Sequence, residues 1–124
     1  MRDILPSGNY RDLIAWKKAF DLALAIYKET ACFPDEEKYG ITSQLRRAGV
    51  SVASNIAEGQ GRNSKAEFRH YLSFAQGSLK EIETQLLIAI ALGYCGDGQA
   101  APLFAMASEV GRLMNGLSRS LAVR

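Results

Sequence analysis

Residues 54–68, SNIAEGQGRNSKAEF, hold residue types that can bind a phosphate: two glycines, an arginine and a lysine. Phosphate-binding loops place a glycine-rich turn after a strand, and a lysine or a helix N-terminus completes the positive charge. Here Gly59 and Gly61 follow a helical pattern, and no Lys-Ser/Thr pair ends the motif. The residues favour a corner between two helices, in which Gly59 ends one helix in a left-handed conformation and Ser64 with Glu67 forms a capping box.

Basic side chains on both sides of this corner are the best candidates for nucleic-acid phosphate contacts: Arg46, Arg47, Arg62, Lys65 and Arg69. Glu58 falls in the last turn of its predicted helix, where the macrodipole disfavours a carboxylate, so we expect Arg62 or an arginine across an interface to pair with it. Asn55 is expected to hydrogen-bond a loop or a neighbouring subunit.

The same basic residues also have an ordinary structural interpretation. Arg46 and Arg47 could form ion pairs with Glu58 and Glu67 on a solvated face, each contributing at most about 1 kcal/mol. If the chain assembles into a ring, however, weak phosphate contacts from several subunits become multivalent.

The residues give no support to a metal site or a catalytic centre. Glu67 and His70 have the Glu-x-x-His spacing of di-iron bundles, but such a site needs two of these motifs, and His70 is the only histidine. The serines lack a Gly-x-Ser-x-Gly elbow and an acid to orient the histidine. We expect no metal, no cofactor and no enzyme activity.

Apolar periodicity predicts four helices, at about 11–32, 41–58, 65–92 and 100–121. Short connections force sequential helices to run antiparallel, so the predicted fold is all-α, an up-down-up-down four-helix bundle over the single domain 1–124. In the first helix the predicted core stripe is Leu13, Trp16, Phe20, Leu24 and Tyr27. The stripes of the second and third are Leu45, Gly49, Val52 and Ile56, and Phe68, Leu72, Ala75, Leu79, Ile82, Leu86 and Ile90. The stripe of the fourth is Leu103, Met106, Val110, Leu113, Leu117 and Leu121.

Composition and charge set the remaining expectations. The chain has 124 residues and a formal net charge of +2, well below the strongly basic balance of a dedicated nucleic-acid binder. The N-terminus MRDILPSGNYRD lacks the apolar run of a signal peptide, so a cytoplasmic location without membrane contact is expected. Cys32 and Cys95 lack CxxC spacing, and we interpret both as reduced, structural and at the same end of the bundle.

Three segments carry a resemblance to a known family: YRDLIAWKKAFDLALAIYKE at 10–29, YGITSQLRRAGVSVASNIAEGQGR at 39–62 and KAEFRHYLSFAQGSLKEIETQL at 65–86. Together they resemble the four-helix-bundle proteins encoded in intervening sequences of 23S ribosomal RNA genes. The resemblance covers residues 10–94, and the runs LRRA, SNIAEG and GR occur in the order and spacing of that family.

The resemblance implies a small cytoplasmic bacterial protein that forms a ring-shaped homopentamer and has no known catalytic activity. Relatives include the accessory protein of diversity-generating retroelements, a basic pentamer that binds nucleic acid and a reverse transcriptase. The leading hypothesis is therefore a non-enzymatic oligomer that binds RNA or DNA weakly through phosphates. The alternative is a scaffold or adaptor for a protein partner, in which Asn55 and Glu58 fix the interface.

Overall fold

A computed structural model describes residues 9–122, which fold into four helices: α1, Ile14–Thr30; α2, Ile41–Gln60; α3, Lys65–Ala91; and α4, Asp97–Leu121. Short 3-10 helices precede α1, at Tyr10–Asp12, and α2, at Asp35–Glu37. The helices α1 and α3 lie diagonally, and each packs against both α2 and α4. The predicted antiparallel four-helix bundle is confirmed. None of the helices within the described residues is long and apolar enough to span a membrane.

The ends of the last two helices differ slightly from the prediction. The helix α3 ends in a left-handed glycine, Gly93, with φ of 81°, and the Tyr94 N–H donates to the Ala89 carbonyl at 2.9 Å. This is the hydrogen-bond pattern of a Schellman C-cap. The helix α4 begins at Asp97, three residues before the predicted start, because the Gln99 side chain accepts a hydrogen bond from the Gly96 N–H at 2.8 Å.

The prediction that Gly59 ends α2 in a left-handed conformation is wrong. Among the described residues only Gly93 has a positive φ, and α2 continues through Gly59 to Gln60. Gly59 is buried where α2 meets α3, and a Cβ there would lie 2.8 Å from the Cβ of Tyr71 and 2.9 Å from Cδ1 of Phe68. The glycine is needed for a close helix contact rather than for a turn.

The cores of α2 and α3 follow the predicted stripes. On α2 the predicted stripe residues Leu45, Gly49, Val52 and Ile56 are all buried. On α3 the predicted residues from Leu72 to Leu86 are buried, while Phe68 and Ile90 pack partly buried against the core. The helix α4 is rotated slightly from its predicted face, since Ala107 and Met114 are fully inside and Met106 and Leu113 only partly.

The predicted stripe of α1 is wrong at two positions. Leu24 is 57% exposed and Tyr27 is 45% exposed, whereas the inward face carries Ala15, Ala19, Leu22 and Ile26. The rotation brings a face rich in small side chains to the core and turns large apolar side chains toward solvent.

Both interhelical loops at the end that carries the cysteines meet around Tyr94. Its hydroxyl donates to Glu37 Oε2 at 2.7 Å, and Glu37 Oε1 accepts from the Ile41 N–H at 3.2 Å, so one carboxylate joins the start of α2 to the α3–α4 loop. The hydrogen bond to Glu37 raises the pKa of the Tyr94 hydroxyl above its usual value. The ring of Phe33 lies 5.8 Å from that of Tyr94, centroid to centroid.

The two cysteines lie at this end, as predicted, and both thiols are free. Cys95 is buried, and burial raises the pKa of its thiol, with Glu29 adding to the effect. Cys32 is exposed, so the predicted structural role suits Cys95 and not Cys32.

Arg46 fixes the end of α1 against α2. Its Nε donates to Thr30 Oγ1 at 2.9 Å, one of its terminal nitrogens donates to the Tyr27 carbonyl at 3.3 Å, and its guanidinium lies 4.7 Å from the centre of the Tyr27 ring. The Thr30 hydroxyl in turn donates to the Ile26 carbonyl at 2.8 Å. A cation at a helix C-terminus also interacts favourably with the macrodipole.

Replacing Gly59 with alanine should lower the free energy of unfolding by about 1–3 kcal/mol, because the new methyl group overpacks the α2–α3 contact. Gly77→Ala is the matched control, since nothing lies within 4 Å of a Cβ at this exposed helical position. The control should gain about 0.5–1 kcal/mol from helix propensity. Urea denaturation at fixed protein concentration measures both, and equal effects of the two substitutions would refute the close contact.

Adjacent arginines provide a second matched pair. Arg46→Met keeps the aliphatic stem but removes two hydrogen bonds and a cation–π contact, so it should cost about 1–2 kcal/mol. Arg47→Met should change stability by less than about 0.5 kcal/mol, because this exposed side chain makes no ion pair among residues 9–122. Denaturation midpoints decide the comparison, and an Arg46→Met variant as stable as Arg47→Met would contradict it.

Candidate binding surfaces

The five predicted basic residues do not form one cluster. Arg46 and Arg47 lie in the first half of α2, whereas Arg62, Lys65 and Arg69 lie where α2 gives way to α3. Arg62 comes 16 positions after Arg46 in the sequence, which corresponds to about 24 Å along a helix. The two groups therefore occupy different parts of the bundle.

Two of the five arginine and lysine side chains are held by the fold. Arg46 binds the end of α1, as described above. Arg62 pairs with Glu58 Oε2 at 3.0 Å, donates to the Tyr71 hydroxyl at 2.7 Å and lies 4.8 Å from the centre of the Tyr71 ring. The predicted pairing of Glu58 with Arg62 is confirmed, and this contact fastens the α2–α3 corner.

The other three cations are available for a ligand. Across residues 9–122 the ion pairs are Glu58 with Arg62 and Lys80 with Glu83. The predicted alternative, in which Arg46 and Arg47 pair with Glu58 and Glu67, is therefore wrong. Exposed cations without an ionic partner in this part of the chain include Arg47, Lys65 and Arg69.

The remaining predicted residues act within the fold. The Ser64 hydroxyl accepts a hydrogen bond from the Glu67 N–H at 3.1 Å, which confirms Ser64 as the N-cap of α3. The predicted capping box is only half formed, because the Glu67 carboxylate accepts no hydrogen bond from the Ser64 N–H. Asn55 was expected to bond a loop or another subunit, but its Nδ2 donates to the Ser51 carbonyl at 2.9 Å and to Ser51 Oγ at 3.0 Å. Ser51 Oγ lies 2.9 Å from Ser78 Oγ on α3, so these polar groups link α2 to α3.

An apolar groove runs between α1 and α2 on the outside of the bundle. We use this name for the depression of about 380 Å³ lined by Tyr10, Trp16, Phe20, Ala23, Leu24, Tyr27, Val50, Ala53, Ser54 and Ala57. Leu24, Tyr27 and Val50 are each more than 40% exposed at its rim. Sequence periodicity missed this groove because it assigned Leu24 and Tyr27 to the core.

A polar groove lies between α2 and α3. It has a volume of about 530 Å³ and is lined by Tyr39, Ser43, Gln44, Arg47, Ala48, Ser51, Glu81 and Gln85. Tyr39, which lies outside the predicted core stripes, is 88% exposed. Glu81 and Gln85 had no predicted role, and no local signal identifies them, because their position opposite Arg47 depends on how α2 packs against α3.

The sole histidine does not form a catalytic arrangement. The His70 ring lies edge-on to Phe74, with 4.5 Å between ring centroids. Within residues 9–122 no hydrogen bond joins its ring to a serine or a carboxylate, and no three His, Cys, Asp or Glu side chains are grouped so that they could hold a metal ion.

Comparison with known proteins identifies the family. A search of the curated proteins finds no match. A crystal structure of a protein with unknown function from the S23 ribosomal protein family of Bacteroides thetaiotaomicron VPI-5482 is similar, with a TM-score of 0.76 and 23% identity over 86% of this chain and 99% of that one. At this identity the likeness shows the fold alone. The sequence profile described as 23S rRNA-intervening sequence protein matches residues 11–116, and the chain therefore belongs to that family.

Proposed function

We propose that this chain is a cytoplasmic, non-catalytic bacterial protein that assembles with copies of itself through the apolar groove. The observation that carries the proposal is the exposure of Leu24, Tyr27 and Val50 side by side on α1 and α2. A partner that covers this apolar surface gains about 25 cal/mol of binding free energy for each Å² that it removes from water. A second copy of the chain is the proposed partner, and the homopentamer implied by the resemblance is the proposed assembly.

A closed ring requires two different surfaces on each subunit, because its contacts are head-to-tail. The second surface in this proposal is the outer side of α3 near its C-terminal end, where Leu87, Ile88 and Leu92 are each more than 45% exposed. Since α1 and α3 lie diagonally in the bundle, the two surfaces are on different sides of a subunit. That arrangement favours a ring over a two-fold dimer.

Binding of RNA or DNA through phosphates is a second candidate function of the same assembly. It is favoured by the exposed cations Arg47, Lys65 and Arg69, which have no ionic partner among the described residues. A cation that already neutralises a carboxylate must give up that ion pair when it binds a phosphate, whereas these three do not. Each subunit contributes few contacts, so affinity depends on several subunits binding one nucleic acid.

The assembly can be tested with Leu24→Glu, which places a charge in the apolar groove. Wild-type protein should have five times the 13.6 kDa mass of one chain by light scattering after size exclusion. The protein concentration at which the assembly dissociates should be at least tenfold higher for the variant than for wild type, because burying an unpaired carboxylate is unfavourable. Ala105→Glu, at an exposed position of α4, adds the same charge away from the groove and should remain assembled. A monomeric wild type, or a Leu24→Glu protein of unchanged mass, would refute the groove as the contact.

The nucleic-acid candidate predicts steep salt dependence of binding. Fluorescence anisotropy of labelled duplex DNA, measured against salt concentration, gives a log-log slope of about −0.9 for each phosphate contacted. The double variant Lys65→Gln, Arg69→Gln should have a shallower slope than wild type, by up to about 0.9 for each phosphate that it no longer binds. The control Lys28→Gln removes an exposed cation at the C-terminal end of α1, the opposite end of the bundle, and should keep the wild-type slope. Absence of binding at low salt would eliminate this candidate and leave the protein-scaffold role.

A further inference from the structure

The polar groove offers three kinds of contact that are not satisfied within the described chain. Arg47 supplies a cation without an ionic partner, and Glu81 supplies a carboxylate that is not paired with it. Both face the same groove but do not neutralise each other. One ligand with an anionic group and separate hydrogen-bond donors would satisfy both.

An unsatisfied acceptor lies in the same groove. Gln85 Nε2 donates to Gln44 Oε1 at 3.3 Å, and Gln85 Oε1 is buried without a hydrogen-bond donor among the described residues. A buried carbonyl oxygen without a partner is unfavourable, so a turn of the Gln85 side chain that brings this oxygen to a ligand N–H in the groove would be favoured. Side-chain amides and carboxylates are also the groups that bind the edges of nucleobases.

Tyr39 supplies an aromatic surface beside these polar groups. Its ring is almost fully exposed at the start of α2, with Lys38 Nζ 5.6 Å from the ring centre. Bases of single strands stack on exposed aromatic rings, whereas bases within a duplex are already stacked on each other. The groove volume of about 530 Å³ falls in the range of small-ligand sites.

We propose that the polar groove binds one nucleotide of a single-stranded nucleic acid, with its base on Tyr39 and its phosphate on Arg47. Guanine is the favoured base, because its N1–H and N2 amino group are adjacent donors that suit the Glu81 carboxylate. The inference rests on the nucleic-acid candidate above and specifies it: Lys65 and Arg69 contact phosphates of any strand, and the polar groove selects unpaired bases.

The test uses full-length protein and fluorescein-labelled RNA hexamers at 50 mM salt. The hexamers are UUUUUU and its variants with one G, A or C at the third position. The double-stranded probe is a hairpin whose long stem contains the G strand, because a duplex of two hexamers separates at the concentrations of the titration. Anisotropy titrations should give the tightest binding for the hexamer with G. Tyr39→Ala should weaken single-strand binding about tenfold and leave duplex binding unchanged. Phe74→Ala removes an exposed aromatic ring of α3 that lies outside the polar groove, so it should change neither single-strand nor duplex binding.

Glu81→Gln separates base recognition from stacking. It should abolish the preference for G while the affinity for UUUUUU stays within about twofold of wild type. Circular dichroism melting of each variant checks that the bundle is folded.

Each outcome decides a separate claim. If wild type binds neither single strands nor duplex, the nucleic-acid candidate itself fails. If it binds both but Tyr39→Ala and Glu81→Gln match wild type, phosphate binding stands and the proposed site is overturned. Tighter binding of a zwitterionic peptide than of any hexamer would assign the groove to a protein partner and also overturn the proposal.

Discussion

The close packing of α2 against α3 at Gly59 determines where most of the candidate binding residues lie. A Cβ at residue 59 would lie only 2.8 Å from the Cβ of Tyr71, so the two helices can approach in this way only with glycine. The same contact holds the corner that presents Lys65 and Arg69. It also sets the register along the rest of both helices, because two packed rigid helices cannot shift at one end alone.

The consequence of that register is visible far from Gly59. Ser51 Oγ lies 2.9 Å from Ser78 Oγ, and the Gln44 and Gln85 side chains meet at 3.3 Å. Arg47 consequently faces the same groove as Glu81 and Gln85. A polar groove at this position is therefore a product of helix packing, although none of its residues forms a recognisable sequence motif.

How well the sequence predicted each helix depends on how unequal its faces are. On α2 one face is apolar and the opposite face is polar, so periodicity identified Val52 and Ile56 as core correctly. The helix α1 is apolar on two faces, and the buried one consists partly of alanines. The larger side chains Leu24 and Tyr27 dominate the periodic pattern, yet they face outward because α1 approaches α2 closely, with Ala23 and Ile26 against Gly49.

The candidate site was predictable where contacts are local in sequence. Glu58 and Arg62 are four residues apart on successive helical turns, and Ser64 caps a helix three residues before Glu67, so both contacts follow from spacing. The role of Arg46 at Thr30 is not predictable in this way, because the two residues meet only after α1 and α2 pack. Charge patterning alone therefore cannot distinguish Arg46, which the fold uses, from Arg47, which remains available.

The helix α2 borders both grooves, and this has a thermodynamic consequence for the proposals. Its residues that face the two grooves are roughly 90° apart around the helix, so the surfaces are adjacent. On α3, Ile88 lies two turns beyond Glu81 on the same face. A subunit docked against Ile88 would lie beside the polar groove, and a nucleotide bound there would border the subunit contact.

The coupling free energy between two binding sites has the same value in both directions. If a bound strand strengthens assembly by some factor, assembly must strengthen binding of that strand by the same factor, whichever event comes first.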